Sequence, residues 1–205
     1  MEDYEFQGWL GYSADAVNGK MQWDVFELKI LIYLGNIEAA PMLCAGVTVY
    51  TPLRNNGRMG KMVGIVGVGG LGHFGILFAR ALGAEKVVGI SRKASKRDEV
   101  LALGADMYIA TDGKDEKNWA TENSRTIDLI ISTASSPDMP LTDYHKLLWY
   151  RSDFIEVNAP NNSDLPPINA FTLISGGFKI GGSATGSPAD IEEMLYFVVG
   201  KKVKP

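Results

Sequence analysis

From Val63 onward the chain alternates short β-branched runs with stretches in which apolar residues recur at helical spacing. Such alternation is the mark of βαβ units whose strands lie side by side in a parallel sheet. The runs predict strands at Met62–Val66, Lys86–Ile90, Met107–Ile109, Asp128–Ile131, Asp153–Asn158 and Phe178–Gly182. After the first of these, Phe74, Leu77, Phe78, Ala81 and Leu82 make one apolar stripe, and Gly83 stands where a left-handed residue ends a helix. Ser95 with Asp98 predicts a capping box, its helix closing before Gly104, and Ser187, Pro188 and Asp190 open a last helix that ends by Gly200. Before Val63 the pattern weakens. A helix is expected from Ile37 to Val49, feeding the first strand through the turn-rich TPLRNNGRMG, while residues 1–36 carry no legible period. The proline-rich APNNSDLPP, Ala159–Pro167, reads as an exposed loop.

A length of 205 residues is enough to bury a real core, and we expect one generous α/β domain. With 46% hydrophobic and 21% charged residues and no low-complexity tract, disordered and fibrous classes are excluded. A net charge of −4 argues against a nucleic-acid partner, because phosphate binding at physiological salt needs a basic face. The single cysteine, Cys44, has no internal disulfide partner, and the start MEDYEFQ lacks the positive and apolar regions of a secretory leader, so a cytoplasmic location is expected. VFELKILIYL, the most apolar early segment, is shorter than the roughly 20 residues of a membrane helix and carries Glu27 and Lys29. No membrane association is expected.

Between the first strand and the first helix lies Gly67-Val-Gly69-Gly70-Leu71-Gly72, a G-x-G-x-x-G turn. Gly67 permits the tight turn, Gly69 lets the backbone approach a pyrophosphate, and Gly72 lets the helix pack closely on the strand. The helix start then offers unpaired N–H groups and partial positive charge to an anion. An NAD site usually places an acid about 20 residues on, at the ribose 2′-hydroxyl. None stands here. The second strand ends in Ser91-Arg92-Lys93, with Lys96 and Arg97 behind it. These cations match a 2′-phosphate and so favour NADP(H) over NAD. The alternative is a merely solvated helix start, which the macrodipole disfavours. Together these features predict a Rossmann doubly wound parallel six-stranded sheet over residues 37–205, with an irregular N-terminal extension over 1–36.

Four motifs in order, AAPMLCAGVTVYTPL, VGIVGVGGLGH, ISRKASKRDEVLALGAD and IISTASS, carry a resemblance to the NADP-dependent, zinc-containing alcohol dehydrogenases of the medium-chain dehydrogenase/reductase superfamily, in their cinnamyl alcohol dehydrogenase branch. The resemblance runs from about Ile37 to the end. It implies that Thr48 lies at the nicotinamide end of the cofactor and that Gly69, Gly70 and Leu71 lie at the pyrophosphate. It likewise places Ser91, Arg92 and Lys96 at the 2′-phosphate and Thr133, Ala134 and Ser135 beside the adenosine half. Val157, Asn158 and Ala159, with Ser183 and Ala184, match the segments that line the nicotinamide pocket. Phe178–Ala184 would be the edge strand through which the family forms homodimers.

The resemblance also puts Cys44 where the family keeps one ligand of its catalytic zinc. The other ligands would belong to the family's N-terminal domain, of which residues 1–36 are expected to be a remnant or a divergent extension, so Cys44 is expected to be a relict ligand, otherwise a small buried apolar residue. His73 is expected at a helix start near the phosphates and His145 at the surface. Three readings follow. The first is alcohol/aldehyde interconversion by hydride transfer on a small substrate. The second is a zinc-free NADPH-dependent reductase or a repurposed non-redox enzyme, with Thr48, Tyr50 or Asn158 as the substitute acid. The third is an inactive cofactor-binding module presenting an exposed apolar floor of Pro41, Met42, Leu43 and Val47.

Overall fold

The computed structural model describes residues 4–10, 22–28, 36–57, 61–112, 118–158 and 164–204. Two segments of the unassigned N-terminal region, β1 (Tyr4–Leu10) and β2 (Gln22–Leu28), pair antiparallel with Tyr4 opposite Leu28 and form a sheet of their own. Next come α1 (Asn36–Pro41), one π-helical turn (Met42–Gly46) and α2 (Val47–Asn56). The expected helix therefore runs beyond Val49 and takes in Pro52. Val49, Tyr50 and Leu53 bury one continuous face there, which outweighs the single backbone bond that proline forgoes. The helix stops where Gly57 N donates to the Leu53 carbonyl at 2.6 Å.

The remainder is βαβ. In chain order it comprises β3 (Met62–Val66), α3 (Gly70–Ala81), β4 (Lys86–Lys93), α4 (Arg97–Ala102), β5 (Met107–Asp112), α5 (Trp119–Glu122) and β6 (Ile127–Ser132). Then follow α6 (Leu141–Leu147), β7 (Leu148–Glu156), α7 (Ala170–Gly176), β8 (Lys179–Gly182) and α8 (Pro188–Lys201). All six strands from β3 onward are parallel, in the order β5-β4-β3-β6-β7-β8. This is the doubly wound arrangement the alternation predicts. Each expected strand is present. β7 starts earlier than expected, at Leu148, and β4 runs on to Lys93.

Burial on both faces explains why β3 to β6 read as nearly unbroken apolar runs. Val63, Ile65, Val87, Leu129, Ile131 and Ile155 pack under α2, α3 and α8. Their neighbours in sequence, Val66, Val88, Ile90, Ile130 and Phe154, pack under α5 and α6. α3 ends as its sequence predicts: Gly83 at φ 90° donates to the Arg80 carbonyl and Ala84 N to the Ala79 carbonyl, at 3.1 and 3.0 Å. Ser187 and Asp190 form the reciprocal cap of α8, with Asp190 N donating to Ser187 Oγ at 3.2 Å and Ser187 N to Asp190 Oδ2 at 2.8 Å. Ser95 makes no such cap. It sits inside a 3₁₀ turn, Ala94–Lys96, and Lys96 precedes α4 in helical backbone geometry, where no side chain caps the helix.

Phe78, with no exposed surface, fills the layer between α3 and α2 against the Tyr50 ring, 5.5 Å away between centroids. Phe78→Ala is expected to cost about 3–5 kcal/mol, read as a fall in the urea midpoint; a loss below about 1 kcal/mol would mean that the layer recloses around the gap.

Candidate functional site

β3 and β6 are neighbours whose following helices leave in opposite directions, so the chain parts at the carboxyl edge of the sheet, where open α/β sheets bind ligands. A cleft of about 580 Å³ lies there. Its floor is the glycine loop, Gly67, Gly69, Gly70 and Leu71. One wall is Ser91, Arg92 and Lys96 after β4, and the other is Thr133, Ala134 and Ser135 after β6, closed by Met139, Pro140 and Tyr144. Three groups of predicted cofactor residues, distant in sequence, therefore meet on one cavity.

The loop is held from below. Gly67 adopts φ 84°, and a Cβ on it would lie 2.7 Å from that of Ala134, so the turn tolerates no side chain. A Cβ on Gly72 would stand 2.1 Å from the Gly67 carbonyl oxygen; Gly72 thus lies beneath the cleft, seating α3 on the strand. Thr133 ties the same loop to β6, its N–H donating to the Val66 carbonyl at 2.8 Å and its hydroxyl to the Gly67 carbonyl at 2.5 Å. Above the loop the geometry reverses. Gly69 and Gly70 face open space, and no side chain caps the first N–H groups of α3. The cradle has the form of a diphosphate seat at a helix start.

The basic wall supplies the second half. Lys96 Nζ donates to the Val68 carbonyl at 2.6 Å and is pinned against the loop. Among the described residues neither Arg92 nor Lys96 pairs with a carboxylate, whereas Arg80, Arg54 and Lys146 all do. Arg97 is drawn aside over the Tyr108 ring, at 5.6 Å. Burial pushes the Tyr144 phenol, at the far end of the cleft, up to about 12, with the Arg92 charge acting in the opposite sense. An anion with several acceptor oxygens fits this corner.

The remaining expected site residues are not on this cavity. Thr48 is buried and its hydroxyl donates to the Cys44 carbonyl at 2.8 Å. Tyr50 lies in the seam between α2 and α8, donating to Glu193 Oε1 at 3.0 Å; burial, with Glu193 second, raises its phenol to about 12. It serves helix packing, and a substitute acid is not found there. Val157 and Asn158 follow β7 half-buried, Ser183 N donates to the Glu156 carbonyl at 3.0 Å, and Ala184 is exposed. Ala159 lies outside the described residues.

Cys44 is exposed, not buried, because the π-helical turn points Met42 and Gly46 inward and Cys44 outward. The same packing buries Met42 and Val47, so the expected apolar floor shrinks to Pro41 and part of Leu43. Among the described residues no three His, Cys, Asp or Glu side chains converge as a metal site. A zinc needs at least three protein ligands, and Cys44 as placed here does not meet that requirement. His73 lies in the first turn of α3, stacked on Phe74 and outside the cleft lining. His145, expected at the surface, is 1% exposed.

Sequence reasoning missed Glu156. It ends β7, where Oε1 accepts from Asn158 N at 3.1 Å and Oε2 is buried without a partner. Burial pushes this carboxyl up to about 7. The available signal was an acid closing the buried apolar pair Phe154-Ile155 at the carboxyl end of β7. Because its pKa is raised on folding, Glu156 costs nothing below the unfolded value of 4.5 and destabilises increasingly as pH rises from there to about 7. Glu156→Gln is expected to raise Tm by a few degrees at pH 8, with the gain vanishing at pH 4; an equal effect at both pH values would contradict the buried ionisation.

The zinc-binding dehydrogenase family model matches residues 70–200. A yeast protein, the NADP-dependent alcohol dehydrogenase 6 of Saccharomyces cerevisiae, is 38% identical over 168 residues, covering 81% of this chain and 45% of its own. Among solved structures, a cinnamyl alcohol dehydrogenase from Sorghum bicolor superposes with a TM-score of 0.78 at 35% identity, over 89% of this chain and 52% of that one. A CAD from Helicobacter pylori complexed with NADP(H) gives 0.74 at 31% identity, over 88% and 49%. The chain spans about half the length of the relatives it matches.

Proposed function

Since the chain belongs to the zinc-binding dehydrogenase family, we propose that residues 37–205 are its NADP(H)-binding domain and that it serves alcohol/aldehyde oxidoreduction on a small substrate. The observation that carries this reading is the uncapped start of α3 beside two cations without carboxylate partners, Arg92 and Lys96, on one cleft. The yeast relative named for NADP dependence and the Helicobacter pylori complex support it. No helix among the described residues is long and apolar enough to cross a membrane; we take the protein to be cytoplasmic.

In this reading the N–H groups after Gly69 hold the diphosphate, and Arg92, Lys96 and Ser91 hold the 2′-phosphate. Thr133, Ala134 and Ser135 bound the adenosine side. NADP(H), when bound, supplies or accepts the hydride. Val157, Asn158, Ser183 and Ala184 follow β7 and β8 at the same carboxyl edge and bound the nicotinamide end; Ala159 is assigned to that end from its sequence match alone. Thr48, its hydroxyl turned back onto the π-helical turn, holds the Cys44 segment toward that end. No step through zinc is derived, because the described residues do not make its site.

Self-association is proposed through the outer edge of β8, next to which Phe171 and Ile174 of α7 stand 72% and 75% exposed. Calorimetric titration with NADPH and NADH, with metal content measured on the same sample, tests the assignment. NADPH is expected to bind the more tightly, and Arg92→Asp to weaken NADPH binding by at least about tenfold with little change for NADH. Equal losses for the two would remove Arg92 from the 2′-phosphate, and no binding to either would leave only an inherited shape.

A further inference from the structure

At the opposite edge of the sheet, where β6, β7 and β8 begin, a second cavity of about 240 Å³ lies between the turn after α5, the end of α6 and the outer face of α7. Thr121, Ser124, Arg125, His145, Lys146 and Thr172 supply its polar lining. Phe178 forms an apolar wall and stacks on the His145 ring at 6.2 Å and 14°, while Phe154 tilts against the same ring at 5.6 Å.

His145 is the unusual member. It is 1% exposed, and neither Nδ1 nor Nε2 has a hydrogen-bond partner. Leaving a buried donor or acceptor unsatisfied costs about 1–3 kcal/mol, so such a group calls for a partner. Burial lowers the imidazole pKa, so the ring is neutral near pH 7 and offers one N–H and one lone pair. The charge around it is one-sided. Lys146 is neutralised by Asp143 at 2.7 Å, but Arg125 makes no ion pair among the described residues and is held over the Tyr150 ring at 4.1 Å. No carboxylate lines the cavity. The exposed guanidinium of Arg125 and the hydroxyls of Thr121 and Ser124 rim the recess that the buried ring faces.

We propose that this cavity is a second ligand site, separate from the cofactor cleft, which takes a small phosphate-type oxyanion held by Arg125, His145 and the hydroxyls of Thr121, Ser124 and Thr172. A hydrogen phosphate carries both acceptor oxygens and an O–H, so it pairs with either tautomer of the neutral ring. The guanidinium fork matches two of its oxygens. The cavity is an open recess of about 240 Å³, which suits a small ligand or the phosphate end of a larger one.

The chain has only two histidines, so imidazole NMR of the whole protein resolves the site directly. Inorganic phosphate is titrated at constant ionic strength, with glycerol phosphate as a monoester and acetate as a carboxylate control. The His145 signals are expected to move saturably with phosphate, to respond little to acetate, and to behave the same with NADPH present. Tighter binding of the monoester would assign the phosphate to a larger molecule, and tighter binding of the free ion to phosphate itself. Arg125→Gln is expected to weaken the response about tenfold or more. Thr172→Val, with a smaller loss in the same direction, serves as a second variant should Arg125→Gln shift the unfolding midpoint. A non-saturating response, one unaltered in both variants, one matched by acetate, or one abolished by NADPH would overturn the proposal.

Discussion

The site depends on one close approach, that of α3 to the end of β3. Gly72 comes so near the Gly67 carbonyl that a single added carbon would lie 2.1 Å from it. This contact sets the angle at which the helix leaves the sheet and so aims its first N–H groups over the carboxyl edge. Thr133, bonded to the Val66 and Gly67 carbonyls, transfers the position of β6 to the same loop. Backbone packing, not any charged side chain, therefore shapes the candidate anion seat, and the charges are added to it.

Those charges belong to a neighbouring strand because β4 lies beside β3, with Val66 in register with Ile90. Parallel pairing brings the residues after Ile90 to the level of the glycine loop, and the Lys96 bond to Val68 closes the gap. The protein is acidic overall, yet at this corner Arg92 and Lys96 pair with no carboxylate among the described residues, although Asp138 lines the same cleft. A net charge of −4 thus says little about the local field, which short-range geometry decides.

The sheet has two ends, and its polar groups divide between them. The carboxyl edge holds the cleft and the raised carboxyl of Glu156, while the amino edge holds His145 with its unpaired nitrogens. His145 is buried and Glu156 half-buried on the β6–β7 side of the fold, where apolar packing strips solvent from the imidazole and from Glu156 Oε2. Tyr50 and Thr48, whose hydroxyls looked available to chemistry, spend them on Glu193 and on the Cys44 carbonyl.

Local pattern was enough for the strands, the glycine loop, the ends of α3 and α8 and the basic cluster, because each rests on residues within a turn or a single strand of one another. The continuous apolar runs of β3 to β6 and the conformational demands of Gly67 and Gly83 act over a few residues and are written in their order. Burial is not local. Cys44 turns outward because a π-helical turn offsets the helix that carries it, His145 is buried by Phe154 of β7 and by Phe178 from the connection before β8, and Pro52 continues a helix because Leu53 and Tyr50 have a core to enter. Ser95 lost its cap to a 3₁₀ turn for a related reason, since β4 extends three residues further on its neighbours than its own composition signals. Sequence alone determined what could bind at the glycine loop; only the tertiary contacts decided which side chains were left free to bind it.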